Sequence, residues 1–293
     1  MIAITGASGQ LGRLVAEELK QRGHAEKISL GTRDPAKLQS LADAGFRVVA
    51  ADFDRPETLA SLFAGSEIAL VICGNAPNDV RVRQHRAAIA AAKSVGVQRL
   101  VYTSFVNPHD DSLFSFAKVH AATERDMLSS GLSCTFLRSN QYFENLNAAL
   151  KIALETGVLS MPGVSGKVAY LARSDIAAAA ASVLTDRRHA EQAYELTGPE
   201  ALDLFEVARC AAASWARGVS ACDMPVDDYR KLLMARGLPA YAVEGQVGIR
   251  LAAAAGEQAK ITDDAHRLVG KPLQTMDGYL GRIRSVGGDP RPT

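Results

Sequence analysis

An excess of charge of either sign is missing from this sequence. Its 33 basic residues stand against 32 acidic ones, a formal net charge of +1 over 293 residues. Without a basic surplus or a long basic run, no nucleic-acid partner is expected. The densest basic stretch, Arg81-Val-Arg-Gln-His-Arg86, reads as a solvated helix face in preference to a phosphate site. Cysteine is also scarce: Cys73, Cys134, Cys210 and Cys222 form no C-x-x-C pair. They read as small buried hydrophobes of a reducing compartment. The six histidines show no metal-ligand spacing, so no metal is expected. Long apolar runs are absent too, because the alanine-rich stretches are short and broken by charge. That leaves no candidate for a bilayer-spanning helix and no expected membrane partner. A strand is expected from residue 2, which leaves no room for a signal or transit peptide. The expectation is a cytoplasmic protein.

What the sequence does contain is concentrated first at its N-terminus. The apolar run Met1 to Ile4 meets three glycines, Gly6, Gly9 and Gly12, spaced G-x-x-G-x-x-G. Leu11, Leu14, Val15 and Leu19 then recur at the spacing of one buried helix face. Strand, glycine turn and helix in that order form the context in which such a motif binds a dinucleotide. Gly6 is expected to make the tight turn. Gly9 would admit backbone to a pyrophosphate, and Gly12 would let the helix pack closely on the strand. The helix N-terminus presents N–H groups and partial positive charge to the phosphates.

Hydrophobic residues make up 47% of the chain, which fits a globular protein with one large domain and a smaller appendage. Further strands are expected at 27–32, 46–51, 68–72, 99–103 and 133–137, separated by helices near 56–63, 80–95 and 115–130. This rhythm builds βαβ units and a parallel sheet covered on both faces, with ligands at the carboxyl ends of its strands. Beyond residue 143 the pattern turns helix-rich, with short strands expected near 168–170 and 193–196. The expected organisation is a nucleotide-binding domain over 1–142, completed by segments near 168–197. A mainly substrate-binding region over 143–286 follows, covering the ligand rim, and then a flexible tail over 287–293. No internal repeat is present.

Cofactor choice is read at the end of the second strand. An acidic residue there favours NAD, and an arginine accommodates the additional phosphate of NADP. Here the strand closes with Thr32-Arg33, while Asp34-Pro35 has the form of a helix cap followed by proline at the first helical position. Arg33 would offer a planar charged fork to a 2′-phosphate, so NADP(H) is the expected cofactor, with NAD(H) as the lesser alternative. Asp52-Phe53 closes the third strand near the expected adenine, where Asp52 serves either the base or its own loop. Cys73-Gly-Asn75 closes the fourth, where Gly74 either admits the cofactor or makes a turn.

Thr5-Gly-Ala-Ser-Gly-Gln-Leu-Gly12, Arg33, Asp52-Phe53-Asp54, Tyr102-Thr-Ser104, Lys118 and Leu137-Arg-Ser-Asn140 together resemble the NmrA-like branch of atypical short-chain dehydrogenases/reductases, on the side of its dye- and quinone-reducing members. The resemblance covers nearly the whole chain. It implies an α/β Rossmann fold, a doubly wound parallel sheet with a smaller, helix-rich C-terminal substrate domain, and hydride transfer from a nicotinamide. Carried over by position, it places Gly6, Ser8, Gly9, Gln10 and Leu11 at the pyrophosphate, Arg33 at the 2′-phosphate, and Asp52 and Phe53 at the adenine. It places Gly74 and Asn75 near the nicotinamide-side ribose, and Thr103, Ser104 and Lys118 near the nicotinamide. Asn140, Gln141, Tyr142 and Phe143 would line the substrate pocket. Lys118 and Ser104 are the candidates for a direct catalytic role; Ser104 either orients a substrate oxygen or ends its strand. Tyr142 and Phe143 either stack on a flat aromatic substrate or fill an interface. His109 and His120 are read as structural.

One departure from the wider reductase family is informative. Those enzymes pair a proton-donating tyrosine with a lysine four residues later, and here the residue four before Lys118 is Phe114. A phenyl ring has no proton to give. A simple ketone receiving hydride becomes an alkoxide that needs a donor. A cationic triarylmethane carbon is neutralised by the hydride itself, and a quinone yields a delocalised anion that water can protonate. The expected function is therefore NADPH-dependent reduction of an aromatic electrophile of the quinone, triarylmethane or azo type, without flavin or metal, by a monomer or homodimer. A cofactor-sensing regulator with little catalysis is the alternative from another class. Reduction through a quinone methide is a third reading within the enzyme class.

Overall fold

The structure is a computed structural model that describes residues 1–285; the expected tail over 287–293 lies outside the described residues. Strands and helices alternate from the start: β1 (Ile2–Ile4), α1 (Gln10–Gln21), β2 (Ile28–Thr32), α2 (Gln39–Asp43), β3 (Arg47–Ala50), α3 (Pro56–Phe63), β4 (Ile68–Val71), α4 (Asn78–Ser94), β5 (Arg99–Phe105), α5 (Ser115–Ser129) and β6 (Ser133–Ser139). There follow α6 (Asn147–Thr156), β7 (Val158–Met161), α7 (Arg173–Thr185), β8 (Ala193–Leu196), α8 (Leu204–Trp215), β9 (Ser220–Asp223), α9 (Val226–Ala235), α10 (Ala240–Ala254), α11 (Asp264–Val269) and α12 (Met276–Ser285).

Seven strands form one sheet in the order β3-β2-β1-β4-β5-β6-β8. The pairs from β3 through β6 are parallel. β8 joins in the same sense, because the N–H groups of Phe136 and Asn140 donate to the carbonyls of Gln192 and Leu196, advancing together. Parallel strands need helical crossovers, which cover both faces and bury the strands throughout. The apolar composition of β4 and β5 follows from that burial. Strand order reverses between β1 and β4, the place where an α/β sheet opens a crevice at its carboxyl edge. This is the Rossmann-type α/β fold.

Two compact units divide the chain. The first comprises Met1–Asp110, Val119–Ser139 and Ile176–Glu195. Its core includes Phe63, Tyr102, Met127 and Phe136. The second comprises Asp111–Lys118, Asn140–Asp175 and the chain from Leu196 onward. Its helix-rich core gathers Phe143, Tyr170, Trp215, Val247 and Leu280.

In the second unit β7 and β9 pair as a small parallel sheet that the sequence reading did not anticipate. Four residues without alternating hydrophobicity give little local strand signal. The strand expected near 168–170 does not form: Val168 makes only an isolated bridge to Leu202, and Leu171 another to Tyr142. Its apolar residues are instead single buried contacts of the second core. Among the described residues no helix is long and apolar enough to cross a membrane.

Candidate functional site

The glycine turn is built from backbone. Gly6 adopts φ +61°, a conformation that a Cβ disfavours. Its carbonyl accepts the Gly9 N–H at 3.0 Å, while the Ala7 N–H donates to the Gly31 carbonyl at 2.9 Å. A Cβ on Gly12 would lie 2.5 Å from the Gly6 oxygen and 2.7 Å from Ala7 Cα. Gly12 thus seats the first turn of α1 against the glycine turn itself, a closer neighbour than the strand that the sequence reading expected it to face. Gly9, at the N-cap, supplies no side-chain cap, and no acidic residue occupies the first turn. The positive end of the helix dipole is left to an anion. Gly9 and Gln10 are exposed and Ser8 is partly buried. Leu11 is buried in the core, so only its backbone can face a phosphate.

Arg33 follows β2 as an exposed guanidinium with no ion pair or side-chain hydrogen bond among the described residues. Asp34 is occupied as a cap, its Oδ1 accepting the Ala36 N–H at 3.2 Å at the start of the 3-10 turn Pro35–Leu38. Two residues to which the sequence reading gave no binding role hold this corner. The Thr32 hydroxyl donates to Ser8 Oγ at 2.9 Å. Arg13 donates from Nε to the Ser8 carbonyl at 3.2 Å and from Nη2 to the Lys37 carbonyl at 2.5 Å. Neither carried a motif signal, because what they bind is backbone or a neighbouring hydroxyl.

At the end of β3, Asp52 Oδ1 accepts the Asp54 N–H at 3.1 Å, while the Asp52 N–H donates to Thr58 Oγ1 at 2.9 Å. Phe53 lies edge-on to His85 with ring centroids 6.3 Å apart. Gly74 has only the tip of Gln84 near the place a Cβ would take, at 3.8 Å. Asn75 beside it is exposed. The backbone, the uncapped helix and the exposed Arg33 together fit a phosphorylated dinucleotide.

The candidates on β5 and α5 are engaged differently. Thr103 Oγ1 accepts the Cys73 N–H at 2.9 Å and ties the end of β4 to β5. The buried Ser104 hydroxyl donates to Glu124 at 2.6 Å. Glu124 pairs with Arg138 at 2.6 Å, and Arg138 with Glu195 at 3.0 Å. The hydrogen bonds that Arg138 donates to Glu124, ahead of the opposing desolvation, push its guanidinium further toward the charged form. The Ser104 proton is thus committed to an internal ion-pair network. Lys118 is exposed and makes no ion pair among the described residues. Phe114, four residues before it, is buried with its ring 5.2 Å from that of Phe116.

In the second unit, the Asn140 amide donates to the Gln258 carbonyl at 2.9 Å and accepts the Gln141 N–H at 2.8 Å. The Gln141 side chain donates to that of Gln258. Phe143 is stacked on Tyr279 at 5.1 Å and lies 1% exposed. Three of the four expected pocket residues are therefore internal packing or hydrogen-bonding groups. Tyr142 alone is partly exposed, with the Arg173 guanidinium 5.1 Å from its ring centroid.

A buried polar cluster in the first unit was not anticipated. Tyr102 Oη lies 2.8 Å from His120 Nδ1, and His85 Nδ1 lies 2.8 Å from Thr123 Oγ1. Because the Thr123 hydroxyl donates to the Val119 carbonyl, we assign the His85 proton to Nδ1. Burial, assisted by Arg81, holds His85 neutral down to about pH 3, and burial holds His120 well below its ordinary range. Unfolding would let both take protons below about pH 6.5, so native stability is expected to fall as pH drops from there toward 3. The slope is about 1.4 kcal/mol per pH unit for each histidine. Urea midpoints of wild type and His85→Gln between pH 7 and 4 check this. An acid limb equally steep in the variant would remove His85 as a cause. Among the described residues, no group of three or more histidine, cysteine, aspartate or glutamate side chains is placed to hold a metal.

Comparison with known proteins places this geometry in a family. Residues 1–280 match the NmrA-like family. Quinone oxidoreductase 2 of Escherichia coli (strain K12) is 35% identical over 286 residues, spanning 98% of this chain and 99% of that protein. A solved NADPH-dependent quinone oxidoreductase from Escherichia coli, complexed with NADPH, superposes with a TM-score of 0.91 at 34% identity, covering 97% of this chain and 100% of that one. The triphenylmethane reductase of Citrobacter sp., complexed with NADP(H), gives 0.88 at 30% identity over 96% of this chain and 99% of that one. The chain belongs to the NmrA-like family.

Proposed function

We propose that this protein is an NADPH-dependent reductase that passes hydride directly to an aromatic electrophile, with a quinone as the leading acceptor class and triarylmethane or azo compounds as further ones. The observation that carries the choice of acceptor is Phe114. Immediately before the helix that bears Lys118, a buried phenyl ring stands where the wider reductase family has a proton-donating phenol. Acceptors that form a strongly basic alkoxide are therefore disfavoured. The names of the similar proteins, quinone and triphenylmethane reductases that bind NADPH or NADP(H), support the same reading.

In this reading the backbone from Gly6 to Leu11 and the N-terminus of α1 hold the pyrophosphate, with Ser8 and Gln10 beside it. Arg33 holds the 2′-phosphate, Asp52 and Phe53 the adenine, and Gly74 and Asn75 the ribose nearer the nicotinamide. Bound NADPH supplies the hydride. Thr103 keeps the ends of β4 and β5 together, and Lys118 contributes charge near the nicotinamide. Tyr142 faces the acceptor, while Asn140, Gln141 and Phe143 form the fixed frame that presents it. Ser104 takes no chemical step here, because its proton is directed to Glu124.

The test is anaerobic NADPH oxidation with a panel of quinones, triarylmethane dyes and azo dyes, with NADH in parallel. Saturable turnover with one of these classes is expected. Arg33→Ala should raise the KM for NADPH about tenfold or more, the scale of a lost charge-assisted hydrogen bond, and leave that for NADH nearly unmoved. Tight NADPH binding without reduction of any acceptor would reject the reductase and favour a cofactor sensor.

A further inference from the structure

We infer that Arg13 is a second residue that reads the 2′-phosphate of the cofactor, sharing with Arg33 the choice of NADPH over NADH. This rests on the placing of the 2′-phosphate at Arg33 in the reading above. A phosphate monoester carries about −1.5 to −2 charges at pH 7, more than one guanidinium neutralises. The structure offers a second one at the same corner, within the first unit.

Two hydrogen bonds fix where Arg13 stands. Its Nε donates to the Ser8 carbonyl and its Nη2 to the Lys37 carbonyl. Ser8 belongs to the glycine turn, and Lys37 to the 3-10 turn Pro35–Leu38 that follows Arg33. The Thr32 hydroxyl closes the other end of that segment by donating to Ser8 Oγ at 2.9 Å. The chain from Thr32 to Lys37 is thus tied at both ends beside the glycine turn, and Arg33 stands on the span between the ties. Arg13 crosses from one wall of this corner to the other, so a phosphate held there by Arg33 meets the Arg13 guanidinium as a second cation.

The charge of Arg13 is not neutralised elsewhere. A carboxylate lies one turn further along α1, at Glu17, but Glu17 pairs with Lys20 at 3.6 Å. Asp34, on the span itself, turns its Oδ1 to the Ala36 N–H. Arg13 makes no ion pair among the described residues, and neither does the exposed Lys37. A guanidinium has five N–H donors, and the two backbone carbonyls take up two of Arg13's. Arg13 also closes the first turn of α1, where a cation opposes the helix dipole and no acidic residue offsets it. A dianionic group in this corner relieves that opposition.

Calorimetric titration with NADP+ and with NAD+, which differ only in the 2′-phosphate, tests this without turnover. Arg13→Met keeps the apolar stem and removes the guanidinium. It should weaken NADP+ binding about tenfold, the scale of a lost charge-assisted hydrogen bond, and change NAD+ binding by less than about twofold. The NAD+ affinity also checks that the variant is folded. Arg13→Met combined with Arg33→Ala should abolish the preference for NADP+. Phosphorus NMR of bound NADP+ adds a readout that a purely structural tie would not move. The second ionisation of a phosphate monoester lies at about pH 6, and neighbouring cations lower it. The bound 2′-phosphate should therefore titrate at a higher pH on Arg13→Met than on wild type. Equal weakening of NADP+ and NAD+ would make Arg13 only a tie between backbone segments and overturn the inference. Unchanged NADP+ affinity, or an unmoved phosphate titration, would overturn it as well. Selectivity lost in Arg33→Ala but kept in Arg13→Met would overturn this inference and leave the reading above standing. Wild-type protein that binds NAD+ as tightly as NADP+ would bring down the Arg33 assignment and this inference together.

Discussion

Gly12→Ala is expected to weaken NADPH binding about a hundredfold, ~2.7 kcal/mol. The added Cβ would sit 2.5 Å from the Gly6 oxygen, 2.7 Å from Ala7 Cα and 3.1 Å from the Ala7 carbonyl carbon. All three are backbone atoms, so no side-chain rotation relieves the overlap. Relief requires the first turn of α1 to move away from the glycine turn, and the N–H groups aimed at the phosphates move with it. Overpacking of this kind also costs about 1–3 kcal/mol of stability, so affinity should be titrated where the variant is fully folded. Gly218→Ala is the control: its φ is not positive, a Cβ there meets nothing within 4 Å, and it should bind NADPH as wild type does. Wild-type affinity in Gly12→Ala would show that the close seating of α1 is not what forms the phosphate site.

Glu124→Ala should be the most destabilising single substitution among the polar residues of the first unit, by about 3 kcal/mol in a urea denaturation series. Glu124 is buried, accepts the Ser104 O–H at 2.6 Å and takes two hydrogen bonds from Arg138, at 3.0 and 2.6 Å. Its removal leaves the Ser104 hydroxyl without its acceptor and Arg138 with Glu195 as its remaining carboxylate. A buried pair broken on one side costs about 3–5 kcal/mol. The lower end applies because the Arg138 side chain is 27% exposed and keeps a partner. Ser104→Ala should cost about 1 kcal/mol, the scale of one hydrogen bond. A Glu124→Ala midpoint within experimental error of wild type would mean that solvent replaces the network without loss.

The parts of this protein legible in its sequence are those decided by neighbours along the chain. Met1 to Gly12 carries strand, turn and helix signals within a dozen residues. The backbone of that segment forms the turn that its glycines imply. Asp34-Pro35 caps a helical turn because a cap and the N–H it binds lie two residues apart. The repeated spacing of strands and helices was enough for the Rossmann-type sheet, since a parallel pair can be connected only by a crossover. Phe114 could be noticed in the sequence alone, because the missing hydroxyl is a property of the residue type.

What the tertiary structure decided is the partner of each buried polar group. Alternation on β5 places Tyr102 and Ser104 on one face and Thr103 on the other. It does not say that Glu124, His85 and His120 stand opposite that face. Asn140 and Gln141 looked like pocket residues until Gln258, more than a hundred positions later, took up their amides. β7 and β9 are strands only because each finds the other across some sixty residues. A hydrogen bond in the interior is set by which surfaces pack together, and local periodicity encodes which face is buried but not what covers it.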